Sequence, residues 1–136
     1  MIENNYFAIA LEDRKWFKAS LEWDGGYNRQ VLDCEQISEK YMKGVIEQID
    51  IDFREKADLL KTHNLKRLGL VINNNLGTKL NLESLAYLKD FYFEARYPGD
   101  EFISVTKEMR DRCEEIMEDV LQILSPFAGA YKVDMR

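Results

Sequence analysis

Cys34-Glu35-Gln36-Ile37-Ser38-Glu39-Lys40-Tyr41-Met42-Lys43, read together with Tyr92-Phe93-Glu94-Ala95-Arg96-Tyr97-Pro98-Gly99-Asp100, decides the fold. Each stretch reads as a helix with an apolar stripe and a few charges set beside it. In the first, Cys34, Ser38, Tyr41 and Met42 join Val31, Val45 and Ile49 along one side of a helix from about Asn28 to Gln48. Ser38 in that stripe lets a neighbouring helix approach closely. Glu35, Glu39 and Lys43 recur four apart on an adjoining face, where Glu before Lys lends mild support. In the second, Leu85, Leu88, Tyr92 and Ala95 make the stripe. Pro98 stops that helix, because the residue before a proline is pushed out of helical angles. The sole histidine, His63, stands between the two stretches.

Working outward, Tyr6, Ile9, Ala10, Trp16, Phe17 and Leu21 recur at helical spacing, and Gly25-Gly26 ends that first helix. Residues 50–62 fit a short helix carrying Phe53, Ala57 and Leu60, or equally a loop rich in aspartate. Thr62 or Asn64 caps the next helix, which turns Leu65, Leu68 and Ile72 inward before the Asn73-Asn74-Asn75-Leu76-Gly77 breaker. Asn81 caps the helix that ends at Pro98. Ser104 or Thr106 opens a last one, in which Met109, Cys113, Ile116, Val120 and Ile123 keep a strict three-four spacing. The tail from Ala128 has no period. No repeat, low-complexity tract or linker divides the chain, so the expectation is one all-α domain over 1–136. Its form is an up-and-down bundle of four to five helices with a core at about 6–125.

Composition narrows the function. The 136 residues are 46% apolar and 32% charged, with seven glycines and two prolines, an ordinary globular mix with little punctuation for a many-stranded fold. Twenty-five acids against nineteen bases leave a net charge of −6. Such a chain gains nothing from general attraction to phosphate backbones, which argues against nucleic acid as a partner. The loose Lys56, Lys61, Lys66 and Arg67 cluster, interrupted by Asp58, reads as a solvated face. Cys34 and Cys113 lie far apart on apolar faces and form no metal-ligand spacing, so they are expected as buried thiols. Met1 to Asn5 lack the basic start and apolar run of a signal peptide, and no apolar run has the length of a membrane span. The expected setting is the cytoplasm, with no membrane partner. A glycine-rich phosphate loop, a Ser-His-Asp grouping and a metal cluster are all missing, so neither a cofactor nor a metal is expected.

The order of these features resembles the HEPN family of helical bundles. Ala10-Leu11-Glu12-Asp13 is similar to the alanine-acid start of the first helix, and the Gly26-Tyr27 exit follows. The 34–43 stretch resembles the family's glutamine, then glutamate-lysine, then second lysine. Thr62-His63-Asn64-Leu65 resembles its histidine-acid-leucine opening, with Asn64 in place of the acid. Tyr92 four residues before Arg96-Tyr97-Pro98 resembles its most distinctive string. Family members that cut RNA carry an arginine followed, after four to six residues, by a histidine. Here eight residues separate Arg54 from His63, and no histidine follows Arg96. The resemblance therefore implies a noncatalytic module with no catalytic residue assigned. Such a module binds a nucleotide or a separate minimal nucleotidyltransferase, a pairing of toxin–antitoxin type.

Candidate ligand-binding residues follow. Arg96, at a helix C-terminus, forks onto a phosphate while Tyr92 or Tyr97 stacks on a base or ribose, or else it completes the helix dipole and pairs with Asp100 or Asp13. His63 is a ligand contact or a capping residue. Glu39, with Lys40 and Lys43, faces a shared cleft or forms a structural network, and Asp13 closes that network from the first helix. Tyr87, Phe91, Phe93 and Tyr97 cannot all face inward from one helix, and the surplus points to a homodimer through it. Two other readings remain beside the binding module: a divergent ribonuclease using Arg96 with a different acid or base, and a purely structural dimeric interaction protein.

Overall fold

The protein is described by a computed structural model covering residues 2–99 and 102–133. The helices are α1 (Tyr6–Ser20), α2 (Tyr27–Ile46), α3 (Phe53–Lys61), α4 (Leu65–Leu76), α5 (Leu82–Glu94) and α6 (Lys107–Leu124). Two 3-10 turns, Ser125–Phe127 and Gly129–Tyr131, follow α6, and there is no strand among the described residues. The all-helical class holds, but the count of four to five helices is corrected to six. The added helix is α3, in the segment that fitted a loop equally well. Asp52 explains the outcome, because its carboxylate accepts from the Arg54 and Glu55 amides and so caps the helix. Leu59 is the residue that α3 buries, whereas Phe53 is 83% exposed.

Helix α2 is the hub and touches each of the other five. Thirteen of its twenty residues are buried, so its Glu35-Glu39-Lys43 face is enclosed along with its apolar one. The side chains of Val31, Cys34, Ile37, Tyr41, Met42, Val45 and Ile46 form the centre of the core. Helix α6 adds Cys113, Met117, Leu121 and Leu124. Both cysteines are buried and unpaired, and burial pushes the Cys113 thiol up to about 12. Helix α1 comes close to α2 at Gly44, where a Cβ would meet the Phe7 ring at 2.7 Å. That ring packs edge-on to Tyr41, with centroids 5.0 Å apart. The C-terminal turns close this end, since the Tyr41 hydroxyl donates to the Tyr131 carbonyl at 2.9 Å.

Polar ties fix the helix ends. Arg14 grips Glu118 through both carboxylate oxygens at 3.0 and 2.9 Å, and Lys18 reaches Glu114 and Glu118, so α1 is clipped to α6. Gln30 donates to the Ser20 carbonyl and accepts from buried Arg110 at 2.6 Å. Asn28 matters most for the site. Its amide nitrogen donates to the carbonyls of Ala95 and Ile103 at 3.2 and 2.8 Å, and its oxygen accepts from the Val105 amide at 2.9 Å. The start of α2 thereby holds the chain that leaves α5.

Candidate functional site

Three elements carry polar side chains to one region. The middle of α2 supplies Glu35, Glu39 and Lys43, a one-turn spacing that stacks them on one face. The short connector between α3 and α4 supplies His63. It is held because Thr62 Oγ1 accepts from the Asn64 amide at 3.1 Å, while Asn64 caps α4 through the Arg67 amide. The end of α5 supplies Tyr92, and Arg96 and Tyr97 follow in the turn after it.

These groups form a continuous array. Lys43 Nζ lies 2.9 Å from Glu39 Oε2, and His63 Nδ1 lies 3.0 Å from Glu39 Oε1. The His63 ring stacks on Tyr92 with centroids 4.0 Å apart and planes at 16°. The Arg96 guanidinium lies over the Tyr92 ring at 5.0 Å and over the Tyr97 ring at 5.4 Å. Glu39 and Lys43 are buried, so the spacing that suggested mild surface support belongs to an enclosed ion pair. A carboxylate only accepts, so the Glu39 contact fixes the proton of a neutral His63 on Nδ1 and leaves Nε2 as an acceptor. With His63 and Arg96 already against the Tyr92 ring, the array offers one hydrogen-bond acceptor, the Tyr97 ring and one guanidinium.

Beside it lies a buried acid whose spacing alone reads as a helix-face charge. Glu35 is fully enclosed, its Oε1 accepts from the Gln36 amide at 2.6 Å, and its Oε2 has no hydrogen-bond partner. Burial, then the negative charge of Glu39, push its carboxyl up to about 9, so it is protonated at neutral pH. Ser38 Oγ, also fully buried, likewise lacks a partner. The Ser38 hydroxyl is thus sealed off in the core.

Asp13 does not pair with Arg96. It binds Lys40 at 2.5 Å, and among the described residues no carboxylate forms an ion pair with Arg96. Asp100, the other expected partner, lies outside the described residues. Asp13 and Lys40 do share a cavity of about 340 Å³ with Arg96, in the company of Arg29, Asp33 and Gln36. A second cavity of about 580 Å³ lies on the other flank, where His63, Phe93, Lys61 and Lys89 meet. Seven of the eight candidate residues thus fall in or beside one region. Arg29, Glu35, Gln36 and the tether Asn28 were missed. Glu35 and Gln36 carry a signal in the spacing and motif of the 34–43 stretch, and Arg29 and Asn28 only in lying on the same helix as Glu39. Among the described residues no grouping of His, Cys, Asp and Glu is arranged to hold a metal, and no helix is long and apolar enough to cross a membrane.

Comparison with curated proteins and with solved structures gave no significant match. The HEPN domain family model, by contrast, matches residues 4–127, nearly the whole chain. That span takes in α1 to α6 and every candidate residue, and on it the chain belongs to the HEPN domain family.

Proposed function

We propose that this domain is a noncatalytic binding module that takes a nucleotide-type ligand against Arg96. The observation that carries this reading is the state of that guanidinium. It is exposed and rests on two tyrosine rings, with no carboxylate partner among the described residues. In a chain of net charge −6, an anionic ligand is repelled in general and needs a local cation held in place. The Asn28 bond to the Ala95 carbonyl holds the backbone next to Arg96. That restraint lowers the order lost on binding. Tyr97, half exposed, supplies a face on which a base or ribose can rest, Tyr92 backs Arg96 and His63, and His63 Nε2 accepts from a ligand hydroxyl.

Calorimetry with a nucleotide panel tests the reading on the wild type and on Arg96→Lys. Lysine keeps the charge and loses the fork, so a bidentate contact weakens about tenfold or more. Equal binding by both proteins returns Arg96 to a structural role. No binding by either shifts the function to a protein partner. For that outcome the family points to a minimal nucleotidyltransferase, and a homodimer through the exit of α5 belongs to the same reading.

The Glu39–His63 pair favours one second reading. A carboxylate-oriented imidazole near an arginine is also the equipment of a proton-transfer site, as a divergent ribonuclease using Arg96 requires. The spacing of arginine and histidine in the family's cutting members is absent, and no appreciable RNA cleavage is expected. Cleavage abolished by His63→Ala and by Arg96→Ala would establish the catalytic reading instead.

A further inference from the structure

The Arg96 cleft has a second wall that the reading above does not use. Leu32, Asp33, Gln36 and Lys40 stand three, four, seven and eleven residues on from Arg29 along one face of α2, and all five line the 340 Å³ cavity. Three cations and two carboxylates face this space, so it carries an excess positive charge in a chain whose total is −6. The charges are unequally engaged. Lys40 is closed onto Asp13 at 2.5 Å. Arg29 reaches Asp33 only at 3.3 Å, with its side chain 82% exposed, and Arg96 has no ion-pair partner among the described residues. Two guanidiniums are therefore available on opposite walls, one on α2 and one after α5. Gln36 adds direction. Its amide nitrogen is committed to buried Glu35 at 2.6 Å, which leaves its Oε1 as an acceptor.

We propose that this cleft seats a phosphate monoester on a hydroxyl-rich molecule, with the phosphate between Arg29 and Arg96 and a ligand hydroxyl or N–H donating to Gln36 Oε1. The proposal rests on the reading of Arg96 as a ligand anchor and deepens it. Guanidiniums suit this ligand because their fork matches phosphate oxygens two at a time, whereas a lysine meets them as a point charge. A hydroxyl-rich body suits the rest of the lining, since Gln36, Asp13 and Asp33 all accept hydrogen bonds. The volume is at the lower end of small-molecule pockets, which run from roughly 300 to 1,000 Å³, and matches a single nucleotide or sugar phosphate.

Calorimetry on the full chain with adenosine, adenosine monophosphate and ribose 5-phosphate tests it, using the wild type, Arg29→Ala, Gln36→Met and Arg96→Lys. Thermal melting checks that each variant is folded, and exposed Arg29 can be removed without touching the core. Both phosphate esters should bind the wild type and adenosine should not. Arg29→Ala should weaken them about tenfold or more, and Gln36→Met by a smaller factor. Binding of ribose 5-phosphate alone, still dependent on Arg29, supports the cleft while removing the nucleotide from the earlier reading. Binding of adenosine monophosphate that falls with Arg96→Lys but is unmoved by Arg29→Ala overturns the two-guanidinium seat and leaves the Arg96 anchor standing. Failure of both esters to bind at millimolar concentration overturns the proposal outright.

Discussion

Glu35 is the residue whose chemistry departs furthest from its sequence context. A carboxyl group enclosed by the core, one turn from Glu39, holds its proton because the charged form would be both desolvated and repelled. The folded group titrates at about 9 and the free side chain at 4.5. Between those values the folded protein carries one proton more than the unfolded chain. Stability from this group is therefore full below pH 4.5 and declines as pH rises toward 9, by at most about 1.4 kcal/mol per pH unit. Glu35→Gln imitates the protonated acid and removes the titration. The variant should melt higher than the wild type at pH 8, with a flatter dependence from pH 5 to 8. A variant that loses stability equally at every pH would show instead that Glu35 is held as a carboxylate. The sequence could not reveal this group. Glu35, Glu39 and Lys43 have the same four-residue spacing on a solvated helix as on an enclosed one. Part of what covers Glu39 is His63, from the α3–α4 connector far along the chain.

At the scale of elements, the apolar stripes of α2 and α6 were legible, that of α1 only in part because Trp16 is exposed, and polar tethers were not. The Val31-Cys34-Tyr41-Met42-Val45 stripe of α2 and the Cys113-Ile116-Val120 stripe of α6 are buried as their periods require. Arg96, His63 and Glu39 come together through the Tyr92 ring and the His63–Glu39 contact. Asn28 escaped notice because its three bonds go to Ala95, Ile103 and Val105, a separation no local pattern encodes. Asn28→Ala leaves two carbonyls and one amide without that partner, at roughly 1 kcal/mol or more for each group that stays buried. The expected result is a lower melting temperature together with weaker ligand binding, because the backbone beside Arg96 is released. Unchanged affinity in a destabilised Asn28→Ala would confine the residue to a structural role. Packing makes a separate demand on α2. Alanine at position 44 gains about 1 kcal/mol of helix propensity but drives a methyl into the Phe7 ring at 2.7 Å. Overpacking costs about 1–3 kcal/mol. Phe7 is hemmed in by Tyr41 and Tyr131, so Gly44→Ala should unfold at lower denaturant than the wild type.

For the whole molecule, the unsolved quantity in the sequence was where its sixteen aromatic residues go. Phe7, Phe17, Tyr41 and Phe91 are buried, and Tyr87 packs against the core. Around the exit of α5, however, Phe93 is 60% exposed, Tyr97 49% and Phe102 48%. Phe93 and Tyr97 lie side by side with ring centroids 6.2 Å apart, so they form a shared apolar surface rather than scattered residues. A two-fold contact through such a surface sets each patch against its own copy, and a stable one buries about 1,200 Å² or more in total. The chain should therefore run at twice its 16.0 kDa mass in light scattering. Replacing Phe93 and Phe102 together by lysine should return it to the monomer, since both are exposed and their loss opens no cavity. Phe53→Lys, at the start of α3, makes a comparable exposed change away from that surface and should leave the dimer intact. A monomer at high concentration would defeat the assembly. A dimer insensitive to the lysine pair would move the interface elsewhere, with Trp16 and Trp23, 68% and 72% exposed, as the next surface to alter.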